Sequence, residues 1–179
     1  LQTIVGQLEV LVGAQVPGAA TGTPEAAPRF PSPSAAPGRD QAHRAIGNPA
    51  TTAATATGAT AAALAMEADI ADSTLNFYVR WKLAMTEQRP TVKPYNETDW
   101  ARLPDALLGE HTYSLSMFEA TIGRLTFTAR AMVPSDYSRT IWHPQYEREM
   151  SLWQLAALYA WHGGHHIGQI EWLRHHYRW

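Results

Sequence analysis

The sequence contains no cysteine, and this absence excludes a disulfide framework, a thiolate metal site and a cysteine nucleophile. Charged residues make up only 17% of the 179 residues and the formal net charge is −2, so the electrostatic argument for binding nucleic acid or an anionic membrane is missing. No run of roughly 18 apolar residues occurs, which predicts no membrane-spanning helix. No basic segment followed by an apolar one opens the sequence, so we expect no signal peptide and a cytoplasmic protein.

Large side chains and charges are scarce in the first third of the chain. Residues 1–66 contain one aromatic residue and six charged residues, whereas residues 67–179 contain 17 of the 18 aromatic residues. A core needs large side chains to offset the entropy of ordering the chain, about 1–2 kcal/mol per residue. We therefore predict a low-complexity, linker-like or disordered segment over 1–60, clearest over 17–55, and a folded domain over 61–179.

Helical patterns dominate the rest of the chain, and prolines mark several of their ends. At the start of the last pattern, Ser151 and Gln154 have the spacing of a capping box, in which each side chain accepts a hydrogen bond from a backbone amide. These patterns predict an all-α domain. The predicted elements are helices over 61–87, 97–102, 112–132 and 151–175, and a brief extended piece over 141–144.

The last predicted helix carries most of the candidate chemistry, since five of the eight histidines lie between residues 162 and 176. His162 and His166 are four residues apart, so both imidazoles project from one helix face and can reach one divalent cation at about 2.1 Å. The zincin pattern is excluded because no glutamate follows the first histidine. Gly163 and Gly164 each lower helix propensity by about 1 kcal/mol relative to alanine, which predicts a close approach by another backbone or a ligand.

A histidine pair at this spacing leaves two interpretations open. The first interpretation is a pair of exposed histidines. A metal site is the other, and it is favoured because the pair continues the apolar stripe of Leu155 and Leu173, where buried imidazoles need partners. A catalytic metal site needs a third protein ligand. The long first helix has a polar face from which Asp69 or Asp72 can supply a carboxylate, and a solvated helix face is the alternative.

Several ordered motifs in residues 67–179 point to a protein family. They are residues 71–73 (ADS) with Asn76, 82–87 (KLAMTE), 90–95 (PTVKPY), 100–105 (WARLPD), 142–144 (WHP) and 159–170 (YAWHGGHHIGQI). Together they resemble the DinB/YfiT-like family of metal-dependent hydrolases, whose members include bacillithiol S-transferases.

The resemblance implies a DinB-like four-helix bundle that binds one divalent metal ion, Zn²⁺ or Ni²⁺, through three histidines. Two of these fall on His162 and His166, and the third belongs at the first position of a His-x-x-Asp motif on the earlier helix. That position is Asp69 here, so a carboxylate stands where the family has a histidine. We also expect Arg80 to pair with a substrate carboxylate, and His143 to bind substrate or relay protons.

The predicted function is that of a metal-dependent hydrolase or thiol S-transferase, in which a single divalent metal ion activates water or a low-molecular-weight thiol. The partners implied are a small-molecule thiol or electrophile, with a homodimer as the assembly. Two alternatives remain open: a non-catalytic metal-binding or interaction bundle, and an inactive family remnant. The remnant is suggested by residues 1–66, where the family's first bundle helix is atypical or missing and where the composition resembles GC-rich DNA read out of frame.

Overall fold

The structure, a computed structural model, describes residues 52–178 of the chain. Residues 1–51 of the low-complexity segment predicted over 1–60 therefore lie outside the described residues. The remaining residues of this segment, 52–60, are helical and continue into the predicted first helix.

Long helices dominate the described residues, as the all-α prediction requires. In chain order the helices and strands are α1 Thr52–Thr86, α2 Glu97–Trp100, α3 Pro104–Leu108, α4 His111–Arg130, β1 Thr140–His143, β2 Arg148–Ser151 and α5 Leu152–Tyr177, with 3₁₀ helices at Pro134–Ser138 and Pro144–Tyr146. Helices α2, α4 and α5 lie within two residues of their predicted bounds at each end, whereas α3 and β2 were not predicted.

Helix α1 begins at Thr52, well before its predicted start at residue 61. The additional residues are mainly alanine and threonine, and alanine has the highest helix propensity, which explains why a stretch with few large side chains is helical. The helix ends at Thr86, close to the predicted residue 87. Beyond it, Arg89 adopts a positive φ of 50° and Pro90 follows, and neither favours a further helical turn.

Helix α5 begins with the predicted capping box. The amide of Gln154 donates to Ser151 Oγ at 3.2 Å, and the amide of Ser151 donates to Gln154 Oε1 at 3.0 Å. These two bonds satisfy amides that have no partner within the helix, so they fix where α5 starts.

Helix α1 packs against both α4 and α5. Ala63 lies in one cluster with Leu173, and the ring of Phe77 stacks on Tyr159 with centroids 4.3 Å apart. Residue numbers therefore rise along α1 as they fall along α5, and the two helices run antiparallel. The largest fully buried side chains of this core are Phe77, Ile70, Ile122, Ile141, Met150, Leu152 and Leu155.

A short hairpin holds the segment after α1 over the bundle. Strands β1 and β2 pair antiparallel, with the buried side chains of Ile141 and Met150 opposite each other. The amide of Trp142 donates to the Pro90 carbonyl at 2.9 Å, and the amide of Val92 donates to the Trp142 carbonyl at 3.1 Å. These bonds fix both the loop that carries Tyr95 and the strand that ends at His143. Within residues 52–178, no helix is long and apolar enough to span a bilayer.

Candidate metal centre

Three predicted ligands meet between α1 and α5. Asp69 Oδ2 lies 2.9 Å from His166 Nε2 and 3.6 Å from His162 Nε2, and the two Nε2 atoms are 3.1 Å apart. All three side chains are partly buried. In the part of the chain that the structure describes, this is the one group of three histidine or carboxylate side chains whose ligand atoms converge in this way.

The spacing of these atoms fits a single divalent cation. Ligands about 2.1 Å from a tetrahedral metal ion lie about 3.4 Å from one another, and the three observed separations, 2.9, 3.1 and 3.6 Å, bracket that value. Two imidazole nitrogens and one carboxylate oxygen are also donors that such ions accept in catalytic sites.

Ser73 determines which nitrogen of His162 faces the cluster. Its hydroxyl donates to the Ile70 carbonyl at 3.1 Å, so its oxygen is left to accept a hydrogen bond from His162 Nδ1–H at 3.3 Å. With the proton on Nδ1, neutral His162 directs the bare lone pair of Nε2 towards Asp69 and His166. When both imidazoles are neutral, at most one of the three converging atoms, His166 Nε2, carries a proton. A cation can bind the lone pairs of all three atoms.

Asp69 is ionised in this setting. Burial raises its pKa, but without a metal ion the two imidazoles, when protonated, donate hydrogen bonds to Asp69 and lend it positive charge, which outweighs burial and holds the pKa far below the usual range. The centre therefore has a negative charge with which to attract a cation.

The second carboxylate candidate, Asp72, lies outside the cluster. Burial and then the negative charges of Asp105 and Asp69 raise its pKa to about 6. The structure therefore distinguishes between the two aspartates that the sequence left open: Asp69 faces the histidines, and Asp72 lies near the start of α3.

Of the predicted substrate-binding residues, Arg80 lies about three turns after Asp69 on α1, and His143 is the last residue of β1. Arg80 is only 7% exposed, and its Nη1 donates to Tyr159 Oη at 2.6 Å. His143 is 2% exposed and its ring lies against Tyr146, with centroids 4.6 Å apart. Burial, followed by the charges of Arg80 and Arg148, lowers the pKa of His143 to about 4, so the imidazole is neutral at pH 7.

Three polar side chains around these sites were not predicted as functional. Ser73 lies in the quoted motif over 71–73, Tyr95 ends the motif over 90–95, and Tyr159 begins the motif over 159–170. The signal available for Tyr159 was its position one helical turn before His162, which puts both side chains on one face. For Tyr95 the sequence offered no such periodicity.

The comparisons with known proteins agree with this architecture. A family model described as the DinB superfamily matches residues 5–170, beginning well before residue 67, where the recognised motifs begin. A candidate metal-dependent hydrolase of Bacillus mycoides is 42% identical over 110 residues, and the candidate metal-dependent hydrolase YfiT of Bacillus subtilis is 34% identical over 110 residues. Each match covers 62% of this chain and 62% of the relative, so the chain spans about three fifths of the length of these relatives.

The solved structure of YfiT from Bacillus subtilis, a four-helix bundle of unusual topology, matches with a TM-score of 0.64 and 23% sequence identity. That match covers 99% of this chain and 87% of YfiT. It confirms the predicted four-helix-bundle fold, of which α1, α4 and α5 are the long helices within residues 52–178.

Proposed function

The chain belongs to the DinB superfamily, and we propose that it is a metal-dependent hydrolase whose single divalent ion is bound by Asp69, His162 and His166. The observation that carries the proposal is the convergence of one carboxylate oxygen and two imidazole nitrogens, 2.9 to 3.6 Å apart, across two packed helices. The names of the curated relatives, which refer to metal-dependent hydrolysis, support it.

Each residue of the centre has a separate role in this proposal. A bound divalent cation supplies Lewis-acid activation of water at neutral pH. Asp69 contributes the negative charge, and the two histidines contribute neutral nitrogen donors. Three protein ligands leave a further position of a tetrahedral ion for the reactant, as in other catalytic sites of this kind.

Zn²⁺ and Ni²⁺ are the proposed metals, because both accept imidazole together with carboxylate. The transferase version of the function uses the same centre with a low-molecular-weight thiol in place of water. It stays a prediction, as do the homodimer and the cytoplasmic location.

Metal analysis of the purified protein tests the proposal first. We expect about one divalent ion per chain by plasma mass spectrometry, because the three donors form one site. Asp69→Asn should weaken affinity by at least roughly 100-fold, since even loss of a residue that only orients a ligand costs 10–100-fold. Asp72→Asn, which removes a carboxylate one turn away on the same helix, is the matched control and should retain the metal. Wild-type protein that binds no metal would contradict the proposal.

Activity is tested on a panel of ester and amide substrates, and on a thiol panel with a chromogenic electrophile. The expected result is turnover that a chelator abolishes and added metal restores, in the first panel for a hydrolase and in the second for an S-transferase. Stoichiometric metal without chelator-sensitive turnover in either panel would instead support the non-catalytic metal-binding bundle.

A further inference from the structure

Arg80 is a buried cation whose hydrogen bonds to described residues go to two uncharged oxygen atoms. Its side chain donates to Tyr159 Oη at 2.6 Å and weakly to the Lys93 carbonyl at 3.5 Å. A charge buried in this way is costly unless an opposite charge compensates it.

Two polar atoms beside Arg80 lack a partner among the described residues. Tyr95 Oη and His143 Nδ1 are both buried and make no hydrogen bond there. Tyr95 follows Lys93 by two residues, and the Lys93 carbonyl accepts from Arg80. His143 follows Trp142, whose carbonyl accepts from the Val92 amide in the same loop. The positive charge of Arg80 also acts on the pKa of both groups. Burial and the charge of Asp69 keep the pKa of Tyr95 well above its ordinary value, so its hydroxyl remains a donor.

This group of side chains lies next to the candidate metal centre. Tyr159, which accepts the bond from Arg80, precedes His162 by one turn of α5, and their rings are 6.4 Å apart between centroids. Arg80 is about 10 Å beyond Ser73 along α1. Side chains on a helix tilt towards its N-terminus, so the side chain of Arg80 leans towards the turn that carries Asp69.

We propose that Arg80, with the hydroxyls of Tyr95 and Tyr159 and the ring of His143, binds a carboxylate group of the substrate whose reacting end lies at the metal centre. This inference rests on the proposed function. Arg80 uses two of its five N–H groups on Tyr159 and Lys93, and the other three are enough for a bidentate bond to a carboxylate. The carboxylate supplies both a counter-charge for Arg80 and an acceptor for Tyr95.

A singly charged carboxylate fits better than a doubly charged phosphate. The negative charges of Asp69 and Glu97 both act on Tyr95, and Glu97 also acts on Tyr159. These charges disfavour a second negative charge on the ligand, and a single guanidinium supplies the attraction.

The test uses one pair of probes, 6-mercaptohexanoate and 6-mercaptohexanamide, titrated calorimetrically into the full-length protein with metal and after chelation. In both forms the carboxylate should bind at least roughly ten-fold more tightly than the amide, as expected for a charged hydrogen-bonded contact. Arg80→Gln should remove this preference. Arg124→Gln should keep it, and it is a matched control because Arg124 also donates to a tyrosine hydroxyl, on the exposed face of α4.

The outcomes separate this inference from the proposed function. Equal binding of acid and amide by the wild-type protein, or no binding of either, overturns the carboxylate site. This comparison uses only the wild-type protein, so it does not depend on whether a variant folds. Inorganic phosphate binding more tightly than acetate overturns the assignment to a carboxylate. Failure of the proposed function shows separately, as a wild-type protein that binds no metal ion while the preference for the acid over the amide remains. Tyr95→Phe, which removes one donor and leaves Arg80, should reduce the preference in part.

Discussion

At the scale of single residues, the hydroxyl of Ser73 has the most specific role. A serine has one proton to donate, and here the proton goes to the Ile70 carbonyl, so the oxygen can only accept from His162. This bond holds His162 in the tautomer whose Nε2 can bind a metal ion, and residues that orient metal-binding histidines in this way raise affinity without touching the metal.

Ser73→Ala should therefore lower metal affinity by about 10–100-fold while the fold is retained. The measurement is competition against a chromophoric chelator, with circular dichroism as the check on folding. Thr74→Ala is the control, because Thr74 is an equally buried hydroxyl residue next in sequence and is not one of the three converging ligands. Equal losses of affinity in the two variants would show that Ser73 only packs.

The sequence could predict the ligands but not this support. His162 and His166 were found because a spacing of four on a helix dictates a common face. The polar face of α1 offered Asp69 and Asp72, the family's motif selected Asp69, and the packing of α1 on α5 brings Asp69 to the histidines. The role of Ser73 in orienting His162 was not predicted, because it depends on the direction of its hydroxyl hydrogen bonds. Only the relative position of the two helices determines that direction.

At the scale of elements, α1 meets the start of α3 through two acidic side chains. Asp72 is half-buried and its pKa is raised to about 6 by burial and by the charges of Asp105 and Asp69. A carboxyl whose pKa is higher in the folded protein than the ordinary 3.8 binds protons more readily when folded. Its burial therefore costs little near pH 3.5, and the cost grows as the pH rises through 6.

Asp72→Asn should consequently stabilise the protein by about 1 kcal/mol at pH 7, after allowance for solvent screening of a half-exposed group. The gain should shrink to a small fraction near pH 3.5, where Asp72 is protonated in the folded state and mostly protonated in the unfolded state. Urea unfolding at the two pH values measures the difference, and Asp105→Asn should give a smaller gain because it removes one of the charges that act on Asp72. A gain of the same size at both pH values would contradict this account.

Elements with local signals were predicted, and those that depend on distant partners were not. The capping box of α5 is formed within four residues and is confirmed. Strand β2 has no alternating pattern of its own and exists because Met150 pairs with Ile141 across the hairpin. The close approach by another backbone predicted at Gly163 and Gly164 is wrong for Gly164, since a Cβ built there meets no atom within 4 Å. Gly163 is buried, and Gly164 faces outward.

At the scale of the whole molecule, the antiparallel packing of α1 and α5 assembles the centre. Asp69 lies on α1 and both histidines lie on α5, so a shared ion would link the two helices. The core around Phe77, Ile122 and Leu155 sets this register, and the ligand atoms follow from it. Unfolding would separate the carboxylate from the histidines, so an ion that binds all three favours the folded state.

Metal loading should therefore raise the melting temperature of the full-length protein. At a free metal concentration 1,000 times the dissociation constant, one site adds about 4 kcal/mol, which corresponds to about 8–16 °C for a chain of this size. Asp69→Asn keeps both histidines on α5 but removes the link to α1, so we expect the increase to fall close to zero. Differential scanning calorimetry of both proteins, with metal and after chelation, measures it. If Asp69→Asn retained the full wild-type increase, the ion would be held by α5 alone, and Asp69 would not be a ligand.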